Sequence, residues 1–207
     1  MSYCRYIKCS DQAALIAVFT YLCNGYILNY CIAQNVFIEL YILLPLLLLG
    51  TEKLQKEIKE QITAEMWSSN LYLSMSFYFA CEGFDGFAHW MKKQSQEELE
   101  HAYTMADYVT KRGGKAKVDK IDVVPQGWGS PLEVFQHVYE HECKVSKMID
   151  NLVSIASAEK DNATQDFLWG FVREQVEEEA TAQGIVDKLK KAGDTGLLFI
   201  DAQLAKR

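Results

Sequence analysis

The sequence predicts an all-α protein, a four-helix bundle with one long crossover loop and a short fifth helix at the C-terminus. Three observations lead there. Apolar residues recur at steps of three and four along four long stretches, the mark of a buried helical stripe. Glycine and proline number only 12 and 3 among 207 residues, a scarcity that favours helix over turn-rich sheet. Two of the three links between the stretches are tight and the third is long, which fixes how the helices run.

The first stripe is Leu54, Ile58, Ile62, Glu65, Ser69, Tyr72, Ser76 and Phe79. Gly83 and Gly86 interrupt it, and Asp85 is placed to cap the next helix. The second stripe runs Phe87, Met91, Gln94, Glu98, His101, Met105, Tyr108 and closes on Lys111, Arg112, Gly113 and Gly114. Basic residues and glycines are what a helix C-terminus favours. Residues 115–129 have no helical period. Ser130-Pro131-Leu132-Glu133 then restarts a helix, with serine as N-cap, proline in the first turn and glutamate closing a capping box.

The third stripe is Phe135, Val138, Glu142, Val145, Ile149 and Leu152. A polar turn at Asp161-Asn162 leads to the fourth: Leu168, Phe171, Gln175, Glu178, Ala182, Ile185 and Leu189, ending at Lys190, Lys191 and Gly193. Residues 196–207 hold a short fifth helix with Leu197, Leu198, Ile200 and Leu204 as its apolar side. The tight turns make helices one and two antiparallel, and likewise three and four. About 15 extended residues span roughly 50 Å, enough to cross a helix of about 42 Å, so helices two and three run parallel.

Residues 1–50 are a different kind of sequence and form a separate apolar N-terminal extension to the domain at 51–207. No charge occurs from Gln12 to Ile38, and Leu40–Leu49 is nearly all aliphatic around Pro45. Ala13–Ala33 has the length of a membrane span, roughly 20 apolar residues, although Asn24, Gly25 and Asn29 weaken it. A signal peptide fits poorly, because Asp11 interrupts the leading region and no small-residue cleavage site follows. Three readings stand: a segment absent from the working protein through a misplaced translation start, a genuine membrane or targeting segment, and an integral part of the core. Met66 is the next methionine after Met1, so a start near Thr51 needs a non-AUG codon.

The net charge of −7 argues against nucleic acid as a partner and suits a protein that handles cations. The charges of Arg5, Lys8, Asp11 and Glu39 cancel, so the whole of it belongs to residues 51–207. Cys81 and Cys143, with no Cys-x-x-Cys spacing, read as reduced, buried thiols in a cytoplasmic domain. His137 and His141 lie off the third stripe and read as surface residues, and Trp67, Trp90, Trp128 and Trp169 as packing.

Each stripe carries an acid or its equivalent near mid-helix, where a plain bundle has leucine. These are Glu65, then Glu98 with His101, then Glu142, then Gln175 with Glu178. Glu98 and His101 are the only Glu-x-x-His in the chain, and an i,i+3 spacing puts both on one helix face. A lone motif of this kind is weak, and any single glutamate suits a solvated face. Four polar interruptions in register are another matter, because buried carboxylates repel and are costly to desolvate. Cations or protons must sit among them. Four glutamates and an imidazole form a hard, bridging donor set suited to two iron or manganese ions and poor for structural zinc. Tyr72, two turns after Glu65, can hydrogen-bond a ligand or donate an electron, or serve as an ordinary core aromatic. Glu97, Glu174 and Glu177 flank the stripe acids and offer an additional cation site or a solvated acidic face.

Residues 51–207 resemble bacterial non-haem ferritins. The segments that carry the resemblance are Ile62-Thr-Ala-Glu-Met-Trp-Ser-Ser-Asn-Leu-Tyr72, Gln96-Glu-Glu-Leu-Glu-His101, Tyr139-Glu-His-Glu142 and 167–179 on the fourth helix. The resemblance implies a ferroxidase centre in which Glu65, Glu98 and His101 hold one iron and Glu98, Glu142 and Glu178 the other, with Gln175 beside them. It also implies a third iron site at Glu97, Glu174, Glu177 and Glu178, a nearby tyrosine at Tyr72, and a shell of 24 subunits. Such a shell oxidises Fe(II) with O₂ or peroxide and stores the ferric mineral. Bacterioferritin-like sites use a second Glu-x-x-His on the fourth helix and a haem-ligating methionine after the second-helix glutamate. Here the fourth helix has no such motif and Leu99 stands at the other position, so no haem is expected. Mini-ferritins lack this intrasubunit set. A redox-silent iron buffer and a membrane-tethered ferritin, the latter if residues 1–50 are genuine, are the alternatives.

Overall fold

A computed structural model describes residues 52–206. The membrane-span expectation at Ala13–Ala33 lies outside these residues, as does the rest of the N-terminal extension. Among the described residues no helix is long and apolar enough to cross a membrane. The elements are α1 (Glu52–Cys81), α2 (Asp85–Lys111), α3 (Pro131–Ala158), α4 (Asn162–Ala192), a 3₁₀ turn at Asp194–Gly196, and α5 (Leu197–Leu204).

Side-chain bonds between α1 and α2 fix their relative direction. The Ser69 hydroxyl donates to the Ser95 carbonyl at 2.7 Å, and Ser76 to the Ala88 carbonyl at 2.8 Å. Residue number rises on one helix as it falls on the other. The loop from Arg112 to Ser130 then follows α1 from Thr63 to Tyr78. The Thr63 hydroxyl accepts from the Asp119 N–H, and Ser74 and Tyr78 donate to the carbonyls of Pro125 and Gly129. The crossover therefore returns the chain to the end where α2 began, and α3 runs parallel to α2.

The start and stop signals divide into those that formed and one that did not. Ser130 and Glu133 make the reciprocal capping box. The Asp161 carboxylate accepts from the Thr164 N–H at the head of α4 and from the Arg112 guanidinium at the tail of α2, at 3.1–3.3 Å. Asp85, expected to cap α2, is instead its first helical residue, and the cap position is Phe84 with no side-chain bond. Asp201 on α5 accepts from the Phe87 N–H at 2.8 Å, so a distant residue satisfies this helix end. Close docking makes this possible: a Cβ at Gly86 would lie 1.8 Å from the Asp201 carbonyl oxygen.

The core forms two apolar clusters. One gathers Leu71, Met75, Phe79, Phe87, Phe135, Ile185 and Ile200 at one end. The other gathers Leu54, Ile58, Met105, Val109, Ile149, Leu152 and Leu168 at the opposite end. Between them lies a belt of buried polar residues. Burying apolar side chains contributes about 1.5–3 kcal/mol each, so these clusters supply the stability against which the belt is held.

Candidate metal centre

The belt is built from one helix turn of each long helix. Glu65, Glu98 and Glu142 are each no more than 2% exposed, and His101 and Gln175 are also buried. Ligand atoms of Glu65, Glu98 and His101 all lie within 4.8 Å of one another. His101 turns Nδ1 toward Glu98 Oε2, 3.7 Å away, and Nε2 toward Glu174 Oε1 at 3.1 Å.

Tyr72, Gln175 and Glu178 carry hydrogen bonds around this group. The Tyr72 hydroxyl donates a short bond to Glu142 Oε1. Ser146 donates to Gln175 Oε1 at 3.1 Å and also bonds the Glu179 carboxylate. The Gln94 amide donates to Glu98 Oε1 at 3.3 Å and Glu178 Oε2 at 3.0 Å, which attaches the half-buried Glu178 to the cluster. Gln61 donates to Glu65 Oε1 at 2.8 Å.

One oxygen of each of the three most buried carboxylates is left over. Glu65 Oε2, Glu98 Oε2 and Glu142 Oε2 are buried with no hydrogen-bond donor. Such orphans are costly, and they come from three different helices. Electrostatics repeats the point. Burial, and then the Glu98 charge, push Glu65 well above the usual carboxylate range. Burial foremost raises Glu98, and it pushes Glu142 up to about 7 with help from the Glu178 charge. Burial pulls His101 down, but its bonds to Glu174 and Glu98 outweigh that and push it up to about 11. Tyr72 is raised well above its ordinary value by burial and by the Glu142 charge. The cluster as a whole is short of positive charge. Protons can supply it, and so can hard cations with several oxygen ligands.

The model of the ferritin-like domain matches residues 55–192. The chain belongs to the ferritin family. A bacterial non-heme ferritin of Bacteroides fragilis is 78% identical over 157 residues, covering 76% of this chain and 99% of that protein. The Campylobacter jejuni bacterial non-heme ferritin is 36% identical over 70% of this chain and 87% of its own length. Among solved structures, an open-pore ferritin of Archaeoglobus fulgidus is 48% identical, with a TM-score of 0.76 over 77% of this chain and 99% of that one.

In this ferritin the flanking acids are arranged less tightly than the belt. Glu97 and Glu174 line a 450 Å³ cleft with Glu100, His101, Thr104 and Phe171. Glu177 is exposed and lies outside that lining. Glu174 reaches a belt residue directly, through His101.

Four expectations change. His141 is not a surface residue: it is 9% exposed, its Nε2 lies 2.9 Å from the Ser68 hydroxyl, and its ring stands edge-on to Tyr72. One residue before Glu142, it is turned about 100° around α3, which aims it at α1 and not at water. His137 is half-buried against Trp128. Cys81 is exposed and Cys143 only partly covered, so neither is a core thiol. Trp169 is 46% exposed and Leu198 72% exposed, while Trp90 packs in the core as expected. Gln61 and Gln94 were overlooked as functional side chains. Each sits one turn before a stripe glutamate, on that glutamate's side of the helix, and Gln94 is itself a stripe residue.

Proposed function

We propose that this ferritin oxidises and stores iron, with Fe(II) as the substrate of the belt. The observation that carries the reading is the trio of buried, donorless carboxylate oxygens on α1, α2 and α3 beside an imidazole. Glu65, Glu98 and His101 hold one iron. Glu98, Glu142 and Glu178 hold the other, with Gln175 beside it and Glu98 as the bridge. Each Fe(II) gives up one electron, and a two-electron acceptor, O₂ or peroxide, takes both. The carboxylates neutralise the rising charge of the products, the reduced oxidant takes up two protons, and Tyr72, bonded to Glu142, is placed to pass a proton. Glu97, Glu174, Glu177 and Glu178 hold a third iron more loosely, with Glu97 and Glu174 lining the cleft beside His101. No haem takes part.

Ferric iron then collects inside a homo-oligomeric shell of 24 subunits in the cytoplasm, built from the domain at 51–207. Exposed apolar side chains on two faces support assembly: Phe77 and Val123 are 63% and 86% exposed beside α1 and the crossover, and Leu198 and Phe199 are 72% and 69% exposed on α5. An isolated subunit leaves these in water.

Adding Fe(II) anaerobically and then admitting air tests the reading. The expected result is a fast rise of ferric absorbance that Glu98→Ala with His101→Ala abolishes. Equal rates in that variant overturn the residue assignment, and binding without accelerated oxidation in the parent protein makes it a redox-silent iron buffer.

A further inference from the structure

We propose that Gln94 is a positioning residue for the second cation of the belt, its amide holding Glu98 and Glu178 in register across two helices. The inference rests on the two-cation reading above and adds a residue that lies outside both ligand sets.

Gln94 is 0% exposed, at a stripe position where leucine would pack without any need for partners. A buried primary amide is tolerated only where its donors are used. Here Nε2 donates to Glu98 Oε1 on its own helix and to Glu178 Oε2 on α4, at 3.3 and 3.0 Å. Carboxylates accept, so the amide nitrogen and not its oxygen must face them.

Two consequences follow for the cations. The bond occupies Oε1 of Glu98 and leaves Oε2, the donorless oxygen, facing Nδ1 of His101. It also restrains Glu178, the least buried of the four glutamates. Without Gln94 that side chain is free to turn toward water, and the second position keeps Glu142 but loses its α4 ligand. The first position, built from Glu65, Glu98 and His101, keeps all its ligands. Gln94 therefore makes the pair of cations unequal in its absence and matched in its presence.

Gln94→Met keeps length and volume while removing the donors. Apoprotein is titrated anaerobically with Co(II), followed by calorimetry and by the visible ligand-field bands. The parent protein should bind two Co(II) per subunit. In Gln94→Met the first should bind within about twofold of the parent and the second about 10- to 100-fold more weakly, the usual effect of removing a ligand's supporting hydrogen bond, with an altered second-site spectrum. In a Glu178→Gln background Gln94→Met should weaken the second site little further, because the α4 carboxylate that Gln94 holds in place is already gone. Unchanged second-site affinity and spectrum overturn the proposal, as do fully additive effects in the double variant. Fewer than two Co(II) on the parent protein would count against the two-cation reading itself. If Gln94→Met fails to fold, Gln94→Asn carries the same test, since it keeps the amide but is one methylene too short to reach Glu178.

Discussion

The Tyr72 hydroxyl on α1 donates its hydrogen to Oε1 of Glu142 on α3, and both groups are sealed from water. The bond spans two helices that share few other polar contacts, and it leaves Glu142 Oε2 as the oxygen without a donor. The phenol thereby leaves Oε2 as the oxygen of Glu142 that a cation, bound as proposed, would meet.

Removing that hydroxyl should slow the chemistry more than the binding. For Tyr72→Phe, Co(II) stoichiometry should stay at the parent value while the initial rate of aerobic Fe(II) oxidation falls by about tenfold, the low end for loss of a ligand's hydrogen-bonding partner. Stopped-flow absorbance checks the rate, and an unchanged rate would reduce Tyr72 to a packing residue.

Neutralising one belt acid should stabilise the protein and disable it together. Glu65 is buried, raised by burial and by Glu98, and has one donorless oxygen. Glu65→Gln replaces a carboxyl that must take up a proton on folding with a neutral group of the same shape, so the metal-free protein at neutral pH should gain about 1–3 kcal/mol. Co(II) should then raise the melting temperature by less than in the parent, because only the second position keeps its full set of ligands. A lower metal-free melting temperature in calorimetry would contradict this account.

The dependence on pH has a definite sign. Glu142 is raised to about 7, and Glu65 and Glu98 are raised as well, so the fold holds protons that the unfolded chain releases. Their contribution is complete below the ordinary carboxylate range and is lost as pH rises through the folded values. His101, raised to about 11, acts in the same direction above its ordinary value. His141 opposes them: burial, with His137 and Lys144, lowers it to about 4, so its contribution is present above its ordinary value and lost as pH falls toward 4. Metal-free protein should therefore lose stability as pH rises above about 6.5, first through Glu142 near 7 and then through His101 toward 11, while the increment from added Co(II) grows as Glu142 gives up its proton. Differential scanning calorimetry at fixed ionic strength reads both.

Docking of the fifth helix should depend on a missing methyl group. With the Asp201 carbonyl 1.8 Å from a Cβ built at Gly86, Gly86→Ala must push α5 away and break its bond to the Phe87 N–H. Overpacking of this kind costs about 1–3 kcal/mol. Chemical denaturation should show that loss with Co(II) stoichiometry intact, because the belt lies in the opposite direction along α2.

The parts legible in sequence were those governed by period and local chemistry. Stripe residues such as Ile58, Met91, Val145 and Leu168 are buried because a 3.6-residue repeat dictates it, and the Ser130–Glu133 box closes on itself within four residues. Glu65, Glu98 and His101 were visible as polar breaks in register, and they do converge. What sequence could not reveal were contacts set by tertiary approach. Asp201 caps α2 from 114 residues away, and Asp85, the local candidate, goes unused. His141 points inward because α1 offers it Ser68 and Tyr72. No repeat along α3 alone encodes that.

The placement of the belt between two apolar clusters has a consequence for how the molecule opens. Each cluster is continuous across all four helices, but the seam between them consists of groups that repel one another when ionised. Without cations the two halves are joined chiefly by the helix backbones, and amide hydrogen exchange should resolve them as separate cooperative units. Two divalent ions sharing Glu98, as proposed, would tie α1 to α2 and α2 to α3 and α4, so loading should merge the two units into one. The same ions that are the substrate then serve, while they are bound, as the tie across the middle of the bundle.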